Sequence, residues 1–161
     1  MMRSSESLRE ARSRNSRIFT AKQFSKVGTW NVRTLFQCGR MGQLLRQMTE
    51  YKLDILGLSE VRWTGQGRFT SEQVTILYSG GEEHHYQGVG IMLNIEATKA
   101  LVGWKPVNER IITARLCTKH AKVAVVQVYA PTESASDGEK DLFCDQLYSM
   151  CLTIFPAMTS S

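Results

Sequence analysis

The sequence predicts an α/β fold in which two mainly antiparallel sheets pack face to face and helices lie outside them. A strand–helix–strand pattern occupies residues 26–59, and a succession of short apolar runs joined by short links fills residues 73–129. The first pattern predicts a crossover between parallel strands, and the second predicts antiparallel pairing. Each sheet then has an apolar face to bury, and two such faces cover one another when the sheets stack.

The first third of the chain predicts a crossover unit at one edge of a sheet. Residues 1–24 are polar and lack sustained periodicity, which is typical of disorder, and Lys26–Asn31 predicts a first strand before a loop at 34–39. Leu53–Ser59 is a short apolar run that predicts a buried second strand. Between them, apolar residues at i, i+3, i+4 and i+7 predict an amphipathic helix: Met41, Leu44, Leu45 and Met48.

The middle of the chain predicts a meander of strands. Gly65–Gly67 indicates a loop, Gln73–Tyr78 alternates as a strand does, and Gly80–Gln87 indicates a polar turn. Four further strands are expected at Gly88–Asn94, Leu101–Val107, Arg110–Thr118 and Ala121–Tyr129.

A capped helix is expected after the last strand. Ser136 and Glu139 have the spacing of a capping box, with Ser136 as N-cap and Glu139 three residues later. The helix that follows carries an apolar stripe at Leu142, Phe143, Leu147 and Met150. We expect it to end at Phe155-Pro156.

Positive charge is concentrated at the N-terminus. Residues 1–26 hold seven basic and two acidic side chains, and the other 135 residues hold 13 of each, so the net charge of +5 belongs to this segment. An Arg- and Ser-rich arm can bind nucleic acid nonspecifically through phosphate contacts. A disordered leader without a partner and a mitochondrial transit peptide are the alternative interpretations.

Composition excludes two classes of protein and indicates a compartment. No window approaches 18 apolar residues, which excludes a transmembrane helix, and the N-terminus has no apolar run for a secretory signal. The cysteines show no CxxC spacing, so we expect reduced thiols and an intracellular location, nuclear rather than cytoplasmic. They are Cys38, Cys117, Cys144 and Cys151.

Three short motifs place polar side chains where strand-like runs end, which is where a sheet presents functional groups. Asn31 in TWNVR offers an amide, Glu60 in LSEVRW a carboxylate and Tyr129 in VYAPT a phenol. Mg²⁺ takes oxygen ligands and often uses only one or two carboxylates together with substrate oxygens. The trio therefore indicates a site that could hold a divalent cation beside a phosphate.

Each of these residues also has a simpler interpretation. Glu60 could be a surface carboxylate paired with Arg62 or Arg33. Asn31 could close a strand with a turn, and Tyr129 could be an aromatic residue packed at a strand end.

Five segments in a fixed order, TWNVRTL, SEVRW, GVGIML, RIITARL and VYAPT, lie within residues 26–147. Together they resemble the endonuclease/exonuclease/phosphatase superfamily, whose members hydrolyse phosphate esters with Mg²⁺. The residues of these five segments are most similar to the apurinic-like endonuclease domain of RTE-type non-LTR retrotransposons. They are also similar to the host relatives of that domain, the craniofacial development protein 2-like proteins.

The resemblance implies a partial four-layered α/β sandwich that acts on DNA. It implies Mg²⁺ as cofactor with Glu60 as its ligand, Asn31 orienting the site around metal and phosphate, and Tyr129 donating to a phosphate oxygen. It also implies an N-terminal portion of the hydrolase domain at 26–150, after a basic leader at 1–25 and before a divergent tail at 151–161.

The chain departs from the family pattern in two respects. The Gly-Asp-Phe/Leu-Asn and Ser-Asp-His motifs of the family do not occur, since none of the three histidines follows an aspartate. We therefore expect a C-terminally truncated fragment that is inactive alone, because the water-activating Asp and the His–Asp pair are missing. Arg33 stands where many apurinic-type relatives carry an acid, which favours the retroelement interpretation.

Two other function classes remain open. A domesticated or degenerate fragment could bind nucleic acid without catalysis, and the superfamily also contains phosphoinositide phosphatases and sphingomyelinases, although SEVRW and YAPT favour nucleic acid. Glu82–His85 could bind a metal but is more simply a hairpin tip, His120 suits a solvated turn, and Arg110 is expected to be exposed beside Glu109.

Missing strands would also leave apolar surface uncovered and make the chain dependent on a partner or prone to association. The residues expected to be poorly covered are Val123, Val125, Val126, Val128, Ile111, Ile112 and Leu116.

Overall fold

A computed structural model describes residues 26–35, 39–82, 87–119 and 121–154. These residues form two sheets and three helices. The elements are β1 (Val27–Asn31), α1 (Arg40–Glu50), β2 (Ile55–Ser59), β3 (Gln66–Thr70), β4 (Val74–Ser79), β5 (Val89–Asn94), α2 (Ile95–Ala100), β6 (Leu101–Asn108), β7 (Ile111–Cys117), β8 (Lys122–Val128) and α3 (Asp137–Ile154).

The first sheet has the strand order β1-β2-β5-β4-β3, and only its β1–β2 pair is parallel. Helix α1 is the crossover between those two strands, as the sequence predicts. It buries Leu44 and Met48 against the outer face of this sheet, where Leu56, Leu58 and Ile76 complete the cluster. The stripe of apolar residues therefore positions α1 and fixes the directions of β1 and β2.

The second sheet is antiparallel, with the order β6-β7-β8, and its inner face packs on the first sheet. Ile91 and Leu77 meet Ile112 and Leu116 in the core between the sheets. Helix α3 covers the outer face, where Phe143 and Met150 pack near Ile111. The four layers are helix, sheet, sheet and helix, so the predicted sandwich is confirmed.

The capping box at the start of α3 is present. Ser136 Oγ accepts a hydrogen bond from Glu139 N at 3.3 Å, and Glu139 Oε2 accepts one from Ser136 N at 3.2 Å. The helix continues past residue 150, and Cys151 and Ile154 pack against the cluster under it. Leu142 is exposed, so the predicted stripe is wrong at that one position.

Two elements differ from the predictions. The expected loop at Gly65–Gly67 is wrong beyond Gly65, because Gln66 begins β3, an edge strand whose side chains are mostly exposed. The short helix α2 was not predicted. Its N-cap is Asn94, whose side chain accepts a hydrogen bond from Ala97 N at 2.8 Å, and this bond turns the chain out of β5.

The apolar face of β7 is better covered than the sequence suggests. Ile111, Ile112 and Leu116 are buried, so the expectation that they are poorly covered is wrong: β7 is the central strand of its sheet and has a layer on each side. The valines of β8 are half-buried, as suits an edge strand. No helix in the described part of the chain is long and apolar enough to cross a membrane.

Candidate functional site

The ends of β1, β2 and β8 bring the three predicted site residues into direct contact. Glu60 Oε1 accepts a hydrogen bond from Asn31 Nδ2 at 2.9 Å and another from the Tyr129 hydroxyl at 3.0 Å. Asn31 and Glu60 lie at adjacent strand ends of the first sheet, whereas Tyr129 follows β8 of the second. The site therefore joins the two sheets at one end of the sandwich.

Backbone pairing beyond the strand ends holds the carboxylate in place. Val32 N donates to Ser59 O at 3.0 Å and Thr34 N donates to Glu60 O at 2.8 Å, so the chain after β1 stays paired with the chain after β2. On the other side, Arg62 N donates to Gln87 O at 3.0 Å. The loop that carries Glu60 is thus fixed from both sides.

Left-handed backbone is concentrated at this site. Arg33, Thr34, Glu60 and Arg62 have φ values of 49°, 99°, 55° and 58°. Among the described residues other than glycine, only Lys52 also has a positive φ. Such conformations are costly for residues with a Cβ and persist where the surrounding structure enforces them, often at functional sites.

Glu60 is held as a carboxylate. The Asn31 amide lowers the pKa of Glu60, burial opposes this, and the Tyr129 hydroxyl and the charges of Arg62 and Arg33 lower it further. The Arg62 guanidinium lies 3.4 Å from Glu60 Oε2. The ion pair between Glu60 and Arg62, which the simpler interpretation of Glu60 expects, is therefore present. That interpretation does not explain the hydrogen bonds that Glu60 accepts from Asn31 and Tyr129.

Tyr129 is held as a neutral phenol. Burial raises its pKa, and the hydrogen bond to the Glu60 carboxylate raises it further. The hydroxyl therefore keeps its proton at neutral pH and remains a hydrogen-bond donor.

Arg110 positions Tyr129, and the expectation that it is exposed beside Glu109 is wrong. Its Nη1 donates to the Tyr129 carbonyl at 3.0 Å, its guanidinium carbon lies 5.5 Å from the centre of the Tyr129 ring, and its own carbonyl accepts from Tyr129 N at 2.8 Å. The half-buried arginine thus fixes both the backbone and the ring. Sequence reasoning missed this role because the two residues are 19 positions apart.

The site supplies some, but not all, of the oxygen ligands that a hard divalent cation such as Mg²⁺ needs. Glu60 supplies an ionised carboxylate, and Mg²⁺ commonly takes one or two carboxylates with waters and phosphate oxygens completing its shell. In the described part of the chain no three His, Cys, Asp or Glu side chains cluster to hold a metal. The residues therefore fit a metal that also binds its substrate, and they do not form a closed protein cage.

All three histidines, for which the sequence suggested turns or a weak metal site, lie outside the described residues. His84 and His85 belong to the undescribed segment 83–86, and His120 is also undescribed. Residues 1–25 and 155–161 are likewise outside, so the expectations for the basic leader and the helix stop stay predictions.

The hydrogen bond from Asn31 to Glu60 predicts a measurable change in the pKa of Glu60 when Asn31 is replaced. We expect Asn31→Ala to raise the pKa of Glu60, because the largest cause of its depression is lost. Tyr129→Phe should shift it in the same direction by less. NMR titration of the Glu60 carboxyl carbon measures both. An unchanged Glu60 pKa in Asn31→Ala would contradict the geometry of the site.

Comparison with curated proteins shows homology to part of a longer protein. No protein-family model matches the chain. The chain is 35% identical over 132 residues to craniofacial development protein 2 of Bos taurus, a match that covers 82% of this chain and 22% of that protein. Its counterpart from Tragulus javanicus is 34% identical over 138 residues, covering 86% and 24%. The chain spans less than a quarter of the length of these relatives.

Solved structures show the same fold. The Xenopus laevis APE2 catalytic domain matches with a TM-score of 0.54 at 14% identity, covering 74% of this chain and 50% of that chain. AP endonuclease LMAP from Leishmania major matches with a TM-score of 0.55 at 16% identity, covering 87% and 48%.

The chain therefore has the fold of AP endonucleases, which agrees with the endonuclease/exonuclease/phosphatase superfamily indicated by its motifs. More particularly, over the matched residues it is a homologue of craniofacial development protein 2. The predicted resemblance to the superfamily and to the craniofacial development protein 2-like proteins is confirmed, and the resemblance to RTE-type retrotransposons stays a prediction.

Proposed function

We propose that this chain supplies the Glu60 side of a Mg²⁺-dependent site that hydrolyses phosphodiesters in DNA, and that it derives from the endonuclease of an RTE-type retrotransposon. The observation that carries the proposal is the Glu60 carboxylate, which accepts hydrogen bonds from Asn31 and Tyr129 out of two different sheets. The names of the matched structures, an AP endonuclease and an APE2 catalytic domain, support DNA as the substrate.

Each residue has a definite part in this chemistry. A bound Mg²⁺ would supply positive charge that stabilises the reacting phosphate group. Glu60 holds the cation, and the Asn31 amide orients the carboxylate. Tyr129 keeps its proton, and its hydroxyl, which donates to Glu60 Oε1 in the structure, turns to donate to a phosphate oxygen when substrate is bound. Arg62 and Arg33 add positive charge beside Glu60, which favours an anionic substrate.

We further propose that the 161-residue chain does not turn over substrate by itself. Its sequence contains no Asp-His dipeptide and no Gly-Asp-Phe/Leu-Asn motif to activate water and stabilise the developing charge. Catalytic groups act as a unit, and loss of one member costs orders of magnitude in rate.

Nicking of supercoiled plasmid tests this proposal. We expect the purified chain with Mg²⁺ to nick no faster than its Glu60→Ala variant. Nicking by the unsubstituted chain that Glu60→Ala abolishes would show that the groups present are sufficient, and it would overturn the proposal of inactivity.

A second candidate function is nucleic-acid binding without catalysis, in the nucleus. The observation that favours it is the charge distribution, because the whole net charge of +5 lies in residues 1–26. Phosphate contacts by such a segment release counterions and give salt-dependent binding.

Deletion of residues 1–26 should therefore remove DNA binding together with its salt dependence. Fluorescence anisotropy with a labelled duplex at several salt concentrations measures the effect. The same affinity and salt slope in the deleted and full-length chains would place binding on the folded part.

A further inference from the structure

The two oxygens of the Glu60 carboxylate differ in how much of their acceptor capacity is in use. Oε1 accepts hydrogen bonds from Asn31 Nδ2 at 2.9 Å and from the Tyr129 hydroxyl at 3.0 Å. Oε2 faces the Arg62 guanidinium at 3.4 Å. A carboxylate has roughly four acceptor positions in all, two on each oxygen. In the free chain, Glu60 therefore has a position left for one cation, on Oε2.

The charged side chains around this carboxylate are arginines. Arg62 and Arg33 interact electrostatically with Glu60, and Arg110 lies against the ring of Tyr129, which donates to the same carboxylate. Three arginines and one carboxylate leave a net charge of +2 before any metal binds. One Mg²⁺ adds two positive charges, which phosphates of a DNA strand can neutralise. A second Mg²⁺ would add two more, and Mg²⁺ is usually bound through carboxylates, of which the trio supplies one.

The backbone of Arg33 is fixed beside Glu60. Arg33 N donates to Asn31 Oδ1 at 3.2 Å, and the next residue, Thr34, donates its N–H to Glu60 O at 2.8 Å. The preceding residue, Val32, is buried. These contacts hold Arg33 in the left-handed region, with φ of 49°, which a side chain with a Cβ adopts at a cost. The position of this arginine in the site is therefore determined by the fold.

The three arginines differ in what their guanidinium groups contact. Arg110 donates to the Tyr129 carbonyl and lies over its ring, so it is used to position Tyr129. Arg62 is half-buried and pairs with Glu60. Arg33 is exposed, and within the part of the chain that the structure describes its guanidinium makes no ion pair. Arg33 is thus the arginine of this site that a phosphate can reach.

We propose that Arg33 binds a phosphate of the DNA strand held at Glu60 and takes the place of a second divalent cation, so that the site binds one. A guanidinium stays charged at neutral pH and presents a planar fork of donors that matches two phosphate oxygens. It therefore neutralises a phosphate without needing carboxylate ligands of its own. The inference rests on the proposed function, since it takes Glu60 as the metal ligand and a phosphodiester as the substrate.

Arg33→Asn and Arg33→Asp form a matched pair of variants. The two new side chains have nearly the same shape, differ by one charge, and accept left-handed backbone more readily than most residues. Arg46→Asn, at an exposed arginine on the outer helix α1, is the control. Thermal melts followed by circular dichroism check that all three variants of the full chain are folded.

Phosphate binding is measured with the dinucleotide d(TpT), which contains a single phosphodiester, and the Mn²⁺-loaded chain. Broadening of the phosphorus NMR signal reports a phosphate close to the ion, so contacts with the N-terminal arm do not contribute to it. We expect Arg33→Asn to raise the Kd for d(TpT) on the order of tenfold, the scale of one charge-assisted hydrogen bond. Arg46→Asn should leave the Kd unchanged.

The number of bound ions is measured by the electron paramagnetic resonance signal of free Mn²⁺. We expect the unsubstituted chain to bind one ion that Glu60→Gln removes, and Arg33→Asp to bind two ions that depend on Glu60. The inference would be overturned, with Glu60 still the metal ligand, by two Glu60-dependent ions in the unsubstituted chain or one in Arg33→Asp. Equal d(TpT) affinities of Arg33→Asn and Arg46→Asn would overturn it as well. Mn²⁺ binding that Glu60→Gln leaves unchanged would contradict the proposed function itself, and this inference with it.

Discussion

Joining this chain to the remaining half of an AP endonuclease-type fold is expected to create Mg²⁺-dependent nicking and to raise the melting temperature together. The activity should appear because we propose that the site also needs the Gly-Asp-Phe/Leu-Asn and Asp-His motifs, which do not occur in these 161 residues, to activate water and stabilise the developing charge. The stability should rise because the added polypeptide covers the exposed face of β1 and the open edge of β8. A plasmid assay and a thermal melt of the same preparation measure both effects.

Substitutions of Glu60 and Tyr129 in that extended protein should lower the nicking activity without changing the melting temperature. Glu60→Ala should lower the nicking rate on the order of 10³-fold or more, and Tyr129→Phe on the order of 10²-fold, the usual cost of one donor to a developing charge. Neither should remove the gain in melting temperature. A stable extended protein in which Glu60→Ala nicks as fast as the parent would contradict the metal-ligand role.

Ile91→Ala is expected to destabilise the chain by about 3 kcal/mol, as large-to-small changes in a core commonly do. Ile91 is fully buried on the central strand β5, in the core between the sheets, so its loss leaves a cavity that neighbouring strands cannot close. Urea unfolding followed by tryptophan fluorescence measures the free energy of unfolding.

Ile95→Ala is the matched control, because Ile95 is 48% exposed on α2 only four residues away. It should change the free energy of unfolding by less than about 0.5 kcal/mol. Equal effects of the two substitutions would mean that the two sheets do not pack around Ile91 as described.

The parts of the fold that depend on local patterns could be predicted from the sequence. The stripe of α1 and the capping box of α3 are short-range signals, and both elements begin close to where the pattern indicates. β3 carries no such signal, because it is an edge strand with mostly exposed side chains. α2 is six residues long, too short for a helical period to show, and its start depends on the cap at Asn94.

The sequence predicts which residues form the candidate site, but not how their side chains are arranged. The strand-end positions of Asn31, Glu60 and Tyr129 indicate functional side chains, and the structure brings them together. That one oxygen of Glu60 receives both hydrogen bonds depends on how the two sheets stack, which no local pattern encodes. The role of Arg110 could not be predicted either, because its contact with Tyr129 is made between neighbouring strands of the folded sheet.

Glu60 also predicts how stability depends on pH. Because its pKa in the folded chain lies below the ordinary value of 4.5, its contribution is fully present above that value and is lost as pH falls through the folded pKa. Acid unfolding of Glu60→Gln should lack this part of the pH dependence, and urea midpoints between pH 3 and pH 6 would measure the difference. An identical profile in the variant would show that the carboxylate is not held by its neighbours.

Paramagnetic broadening by Mn²⁺, used in place of Mg²⁺, tests the proposed metal site most directly. Titration of the labelled chain should broaden the NMR signals of Asn31, Glu60 and Tyr129 first, and Glu60→Gln should abolish that selective broadening. Glu109→Gln, a matched change at a half-buried glutamate outside the trio, should leave it intact. Selective broadening that survives Glu60→Gln, or broadening that avoids these three residues in the unsubstituted chain, would contradict the assignment of Glu60 as the metal ligand.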